Sequence, residues 1–173
     1  MDYKKDTYKE IVVNWEKGSA IETYEDFQNY CKLHPKPNNF KQYGCVDEGL
    51  KTSDQIFYQI YGDHHVYGRN TLLYIGISKD VLSRFRHHLN GVFKYVNNKS
   101  ISIGRADTFL NNMEEVESIL IANHKPAFNK TFIHDLHEDS RNMDRDDTNK
   151  IIIINNGNNG MLKTCCTNYW WVN

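Results

Sequence analysis

Arg84 comes eight residues after the glycine of Tyr74-Ile75-Gly76, and His88 stands four residues beyond it. On a helix, positions i and i+4 share a face. A guanidinium can grip two phosphate oxygens at once, and a nearby imidazole exchanges protons around neutral pH, so the pair suits a phosphodiester. A solvated basic surface made of Arg84, Arg86, His87 and His88 would use the same residues without chemistry. Glu117 shifts the balance, because it falls on the helical stripe of Leu110, Met113, Leu120 and Ile121. A carboxylate there is costly unless it is paired or bound to metal. Mg²⁺ takes one or two such oxygens and keeps several waters; a salt bridge to Arg84 is the structural alternative. Tyr58, Tyr61 and Tyr74 lie in β-prone runs. Tyrosine becomes a base only where cations, metal-bound water or a hydrogen-bond partner lower its pKa from about 10, so each is by default a strand residue.

Leu73-Tyr74-Ile75-Gly76-Ile77-Ser78-Lys79-Asp80, followed by Arg84, His88, Glu117, Pro126 and Asn129, resembles the GIY-YIG nucleases. The Tyr-Ile-Gly half of the signature is intact, while Ile56-Phe57-Tyr58 keeps only the tyrosine of the first half. The resemblance spans residues 58–129. It implies a small three-stranded antiparallel sheet flanked by helices that hydrolyses DNA with one divalent cation, Mg²⁺ or Mn²⁺. Glu117 would bind the metal, and Arg84 would stabilise charge on the phosphoryl group. Tyr58 or Tyr74, assisted by His88, would activate the attacking water, and Asn129 would hold the site together by hydrogen bonds.

DNA contact has separate support. Between Lys79 and Arg105 six basic residues face one acid, which gives a local phosphate-tracking patch from Lys79, Arg86, His87, Lys94, Lys99 and Arg105. The whole chain, at a formal charge of -1, lacks the global basicity of many nucleic-acid binders.

The elements that must position these residues follow from periodicity. Ile11, Val12 and Trp15 are spaced as one helix face, and Tyr24, Phe27, Tyr30 and Cys31 as a second, ended at His34–Pro37. Ile56–Tyr61 and Thr71–Gly76 read as antiparallel strands joined by a long loop, Gly62–Asn70, itself a candidate specificity element. Asp80 caps a helix carrying Val81, Leu82, Phe85 and Leu89; Ile101–Ile103 is a third strand, and Thr108–His124 the next helix. The expected α+β organisation is a helical N-terminal extension over 1–54, a catalytic core over 55–132, an acidic linker over 133–150 and a C-terminal β-hairpin over 151–173.

No stretch approaches 18 apolar residues and the N-terminus is too polar for a secretory leader, so a soluble intracellular protein with no membrane partner is expected. Cys31, Cys45, Cys165 and Cys166 lack the paired spacing of a zinc site. A short chain with extensions around the core looks most like a restriction endonuclease, whose symmetric sites favour a homodimer. In that case Tyr169, Trp170 and Trp171 would be core, a dimer contact or a stacking surface. A homing- or repair-type structure-selective nuclease is the alternative. So is a catalytically inactive DNA-binding relative, supported by the departure at Ile56.

Overall fold

The computed structural model describes residues 8–33, 55–78, 81–133, 150–157 and 160–167. Its elements in chain order are β1 (Tyr8–Trp15), β2 (Ser19–Ala20), α1 (Tyr24–Leu33), β3 (Ile56–His64), β4 (Gly68–Ser78), α2 (Val81–Asn90), β5 (Ser100–Ala106), α3 (Met113–His124), β6 (Lys150–Asn156) and β7 (Thr164–Cys166). They build one seven-stranded mixed sheet in the order β4-β3-β5-β1-β6-β7, with β2 paired to β5.

This corrects the expected fold class. Instead of a small three-stranded sheet flanked by helices, the sheet curls into a half-barrel with few helices. β4, β3 and β5 are antiparallel neighbours within it, but β5 also pairs with β1, and β1 runs parallel to β6. The helix expected around Ile11, Val12 and Trp15 is strand β1. Ile11, Val13 and Trp15 are buried, whereas Val12 is half-buried and Asn14 exposed. That is a period of two, suited to β-branched residues once neighbouring strands supply pairing partners. Nor is the Gly62–Asn70 segment a long loop: β3 and β4 continue through most of it, leaving a turn over residues 65–67. The second N-terminal helix is present as α1. The residues of the expected linker, 134–149, and Tyr169–Trp171 lie outside the described residues.

Two cores sandwich the sheet. On one face Ile11, Val13, Phe57, Ile75, Ile151, Ile153 and Cys165 pack with Val116, Ile119 and Leu120 of α3. On the other, Ile21, Ile56, Tyr58, Ile60, Leu73, Ile101 and Ile103 pack with Phe85 of α2 and Phe93. α3 starts later than the Thr108 expected from its apolar stripe, because Asn112 caps it: its side chain accepts from the Glu114 and Glu115 amides. Gln55 holds the segment before the cap through both amide and carbonyl of Leu110. Lys125, left-handed at φ 48°, ends α3 with its amide bonded to Ile121, and Pro126 follows.

Candidate active site

Residues 127–129 leave α3 along the outer edge of β4. The amides of Ala127 and Phe128 donate to the carbonyls of Leu72 and Leu73. Asn129, buried, completes the pairing: Oδ1 accepts from the Ile75 amide and Nδ2 donates to the Ile75 carbonyl, both at 2.9 Å. One side chain thus stands in for a strand partner and fixes the residue between Tyr74 and Gly76.

Tyr58 on β3 lies opposite Gly76 in register. A Cβ at position 76 would come within 2.5 Å of the Tyr58 hydroxyl and 2.7 Å of the Tyr74 ring, so the glycine is the space the hydroxyl occupies. That hydroxyl lies 2.9 Å from Nε2 of His88 on α2. The Tyr58 and Tyr74 rings stack at 5.9 Å, the Tyr74 and His88 rings lie 4.8 Å apart, and Phe93 packs edge-on against both. Arg84, one turn before His88 and exposed, sets its guanidinium against the Tyr58 and Tyr74 hydroxyls, which raise its pKa further.

Electrostatics separate the roles of these groups. Burial, then Arg84 and His87, push His88 down to about 4, so it is a neutral imidazole at pH 7 with a lone pair to offer. Burial and the neighbouring Tyr74 raise Tyr58 well above the ordinary phenol range. Tyr58 is 1% exposed, whereas Tyr74 is half-buried. Only Tyr74 therefore meets solvent directly.

Glu117 projects from α3 toward β4. Burial pushes its carboxyl up to about 7, against the lowering influence of the Ile77 amide, while Glu114 adds to the rise and Arg84 opposes it. Arg84 and Glu117 are not in ion-pair contact, so the salt bridge expected as the structural alternative does not account for the half-buried acid. Among the described residues no three His, Cys, Asp or Glu side chains gather as a metal cage. A single carboxylate with its pKa raised by desolvation and exposed Arg84 nearby still fits a hard divalent ion that keeps most of its waters.

All six expected catalytic residues, Tyr58, Tyr74, Arg84, His88, Glu117 and Asn129, thus fall around the β3–β4 edge. The expected DNA-binding set fares differently. Arg86, His87 and Lys94 are exposed, with Arg86 over the Tyr24 ring and Lys94 over the Tyr95 ring, and Lys79 lies outside the described residues. Lys99 and Arg105 are corrected out of the patch. Lys99 is buried and paired with Glu22 at 3.0 Å, and Arg105 is buried and paired with Glu16 at 2.7 Å, so neither charge faces a phosphate. Charge counting along the chain could not see their partners. Sequence reasoning also missed Phe93 and the Ile77 amide as site-building groups; the first carries no spacing signal, and the second is backbone.

Compared with known families, curated proteins and solved structures, the chain matches none.

Proposed function

We propose that this protein is a divalent-metal-dependent endonuclease that hydrolyses DNA phosphodiesters, as its resemblance to the GIY-YIG nucleases implies. The observation that carries the reading is the meeting of Arg84, the Tyr58–His88 pair and a desolvated Glu117 at one sheet edge. A half-buried carboxyl whose pKa desolvation raises, with no ion-pair contact to the nearby cation, is more than a solvated surface acid requires.

Glu117 would hold the cation, Mg²⁺ or Mn²⁺, with the Ile77 amide orienting its carboxylate. When bound, such an ion supplies Lewis-acid stabilisation of charge on the phosphoryl oxygens. Arg84, exposed with the Tyr58 and Tyr74 hydroxyls near it, grips the non-bridging oxygens. Half-exposed Tyr74 orients the attacking water. Buried Tyr58 donates its own proton to the lone pair of His88 and keeps its oxygen toward Arg84, so the proton the water loses leaves past solvent-facing Tyr74. Asn129 is a positioning residue, acting through Ile75.

The strands added around the site support a restriction-type enzyme acting as a homodimer. The exposed rings at the β3–β4 tip favour structure-selective cleavage instead. Among the described residues no helix is long and apolar enough to cross a membrane. The activity is tested by incubating supercoiled plasmid with the full chain. Nicked or linear product in Mg²⁺ or Mn²⁺, and none in EDTA, is expected; intact plasmid in both metals contradicts the reading.

A further inference from the structure

A line of rings runs from the candidate active site to the tip of the β3–β4 hairpin. Tyr74 and His88 touch Phe93, Phe93 lies 5.6 Å from Phe128, and Phe128 lies 5.3 Å from His64. His64 stacks nearly parallel with His65 at 4.5 Å and with Tyr67 at 4.7 Å. The stack is held in place before any ligand arrives, since His64 Nδ1 accepts from the Val66 and Tyr67 amides. Gly68 and Asn70, at φ 94° and 52°, supply the left-handed turn.

The outer end of this line is open. Tyr67 is 68% exposed and Tyr95 85%. A groove of about 460 Å³ is lined by His64, His65, Arg69, Tyr95 and Phe128, among others, and Tyr67 stacks on the lining His64. Its one lining carboxylate, Asp63, is engaged by the Asn98 side chain at 2.6 Å and the Asn70 amide at 3.3 Å. Arg69 is exposed at one side, and Lys94 lies 5.2 Å from the Tyr95 ring at the other. Exposed aromatic faces flanked by cations form a surface complementary to unpaired bases on a phosphate backbone.

We infer that this groove binds a single-stranded DNA arm, stacking its bases on Tyr67 and Tyr95 while Arg69 and Lys94 track its phosphates. The inference rests on the nuclease reading and adds a substrate class: DNA with unpaired nucleotides beside the cut. The rings of His64, His65, Phe128 and Tyr95 all line the groove, which suits a strand lying in it.

The test measures binding of the full chain in EDTA, where no cleavage occurs, to two DNAs of equal duplex length. One carries a single-stranded arm containing 2-aminopurine and the other is fully paired. Wild type should bind the armed DNA more tightly and quench the arm. Tyr67→Ala/Tyr95→Ala should weaken armed binding by at least ~10-fold, abolish quenching and leave paired-DNA affinity and thermal melting unchanged. Equal affinity of wild type for the two DNAs, or an unchanged armed affinity in the double variant, overturns the inference. If Mg²⁺-dependent plasmid cleavage persists alongside that result, only the arm-binding surface fails; if neither DNA is bound nor cleaved, the nuclease reading fails with it. Association with a second copy or a lipid vesicle through these rings, with no arm dependence, also counts against it.

Discussion

Glu117 couples protonation to stability and, on the proposed reading, to metal as well. Its folded pKa of about 7 lies above the ordinary 4.5, so between these values the folded state keeps a proton that the unfolded chain has released. Stability therefore falls as pH rises through that window, and the penalty is complete above pH 7. Without metal, Glu117→Gln should melt higher than wild type at pH 8, by about 5 °C, with the gap closing below pH 4.5. Adding Mg²⁺ should raise the wild-type midpoint at pH 8 and leave the variant unmoved; thermal scans across pH check both. His88 has the opposite sign, since its folded pKa of about 4 makes the fold lose stability as pH falls from about 6.5.

At the scale of elements, the edge of β4 decides whether the site exists. Asn129→Ala removes two hydrogen bonds to the backbone of Ile75 and leaves a buried amide and carbonyl unpaired, so it should cost about 2–4 kcal/mol by denaturant unfolding. A loss under ~0.5 kcal/mol would mean that water replaces the amide without penalty. This edge was legible in the sequence as residues but not as contacts. Asn129 stands out through its place in a family pattern, and β3, β4, α2, β5 and α3 are legible from apolar periodicity and β-forming runs, while the expected cap Asp80 lies outside the described residues. β1 is not legible, because Ile11, Val12 and Trp15 fit a helical face as well as a strand until β5 and β6 are placed beside them. Nor are Lys99 and Arg105, whose ion-pair partners lie far away in sequence. Hairpin length was misjudged because glycine, histidine and asparagine look like loop over Gly62–Asn70, while cross-strand pairing carries them as strand.

At the scale of the whole molecule, the segments read as extensions are structural. β6 and β7 place Ile151, Ile153 and Cys165 in the core that supports α3 and hence Glu117, and the Trp15 indole donates to Asn155 at 2.9 Å across that junction. A chain ending at residue 133 should therefore lack a cooperative thermal transition and aggregate; a sharp melt with cleavage retained would show that residues 8–133 suffice. The central claim is that the β3–β4 edge cleaves DNA, and single-turnover cleavage of one defined DNA at saturating protein in Mg²⁺ tests it most directly. Glu117→Ala and Arg84→Ala should each slow cleavage by at least ~100-fold while the folded protein still binds the DNA. Wild-type rates from either variant would place the activity outside this site and contradict the account.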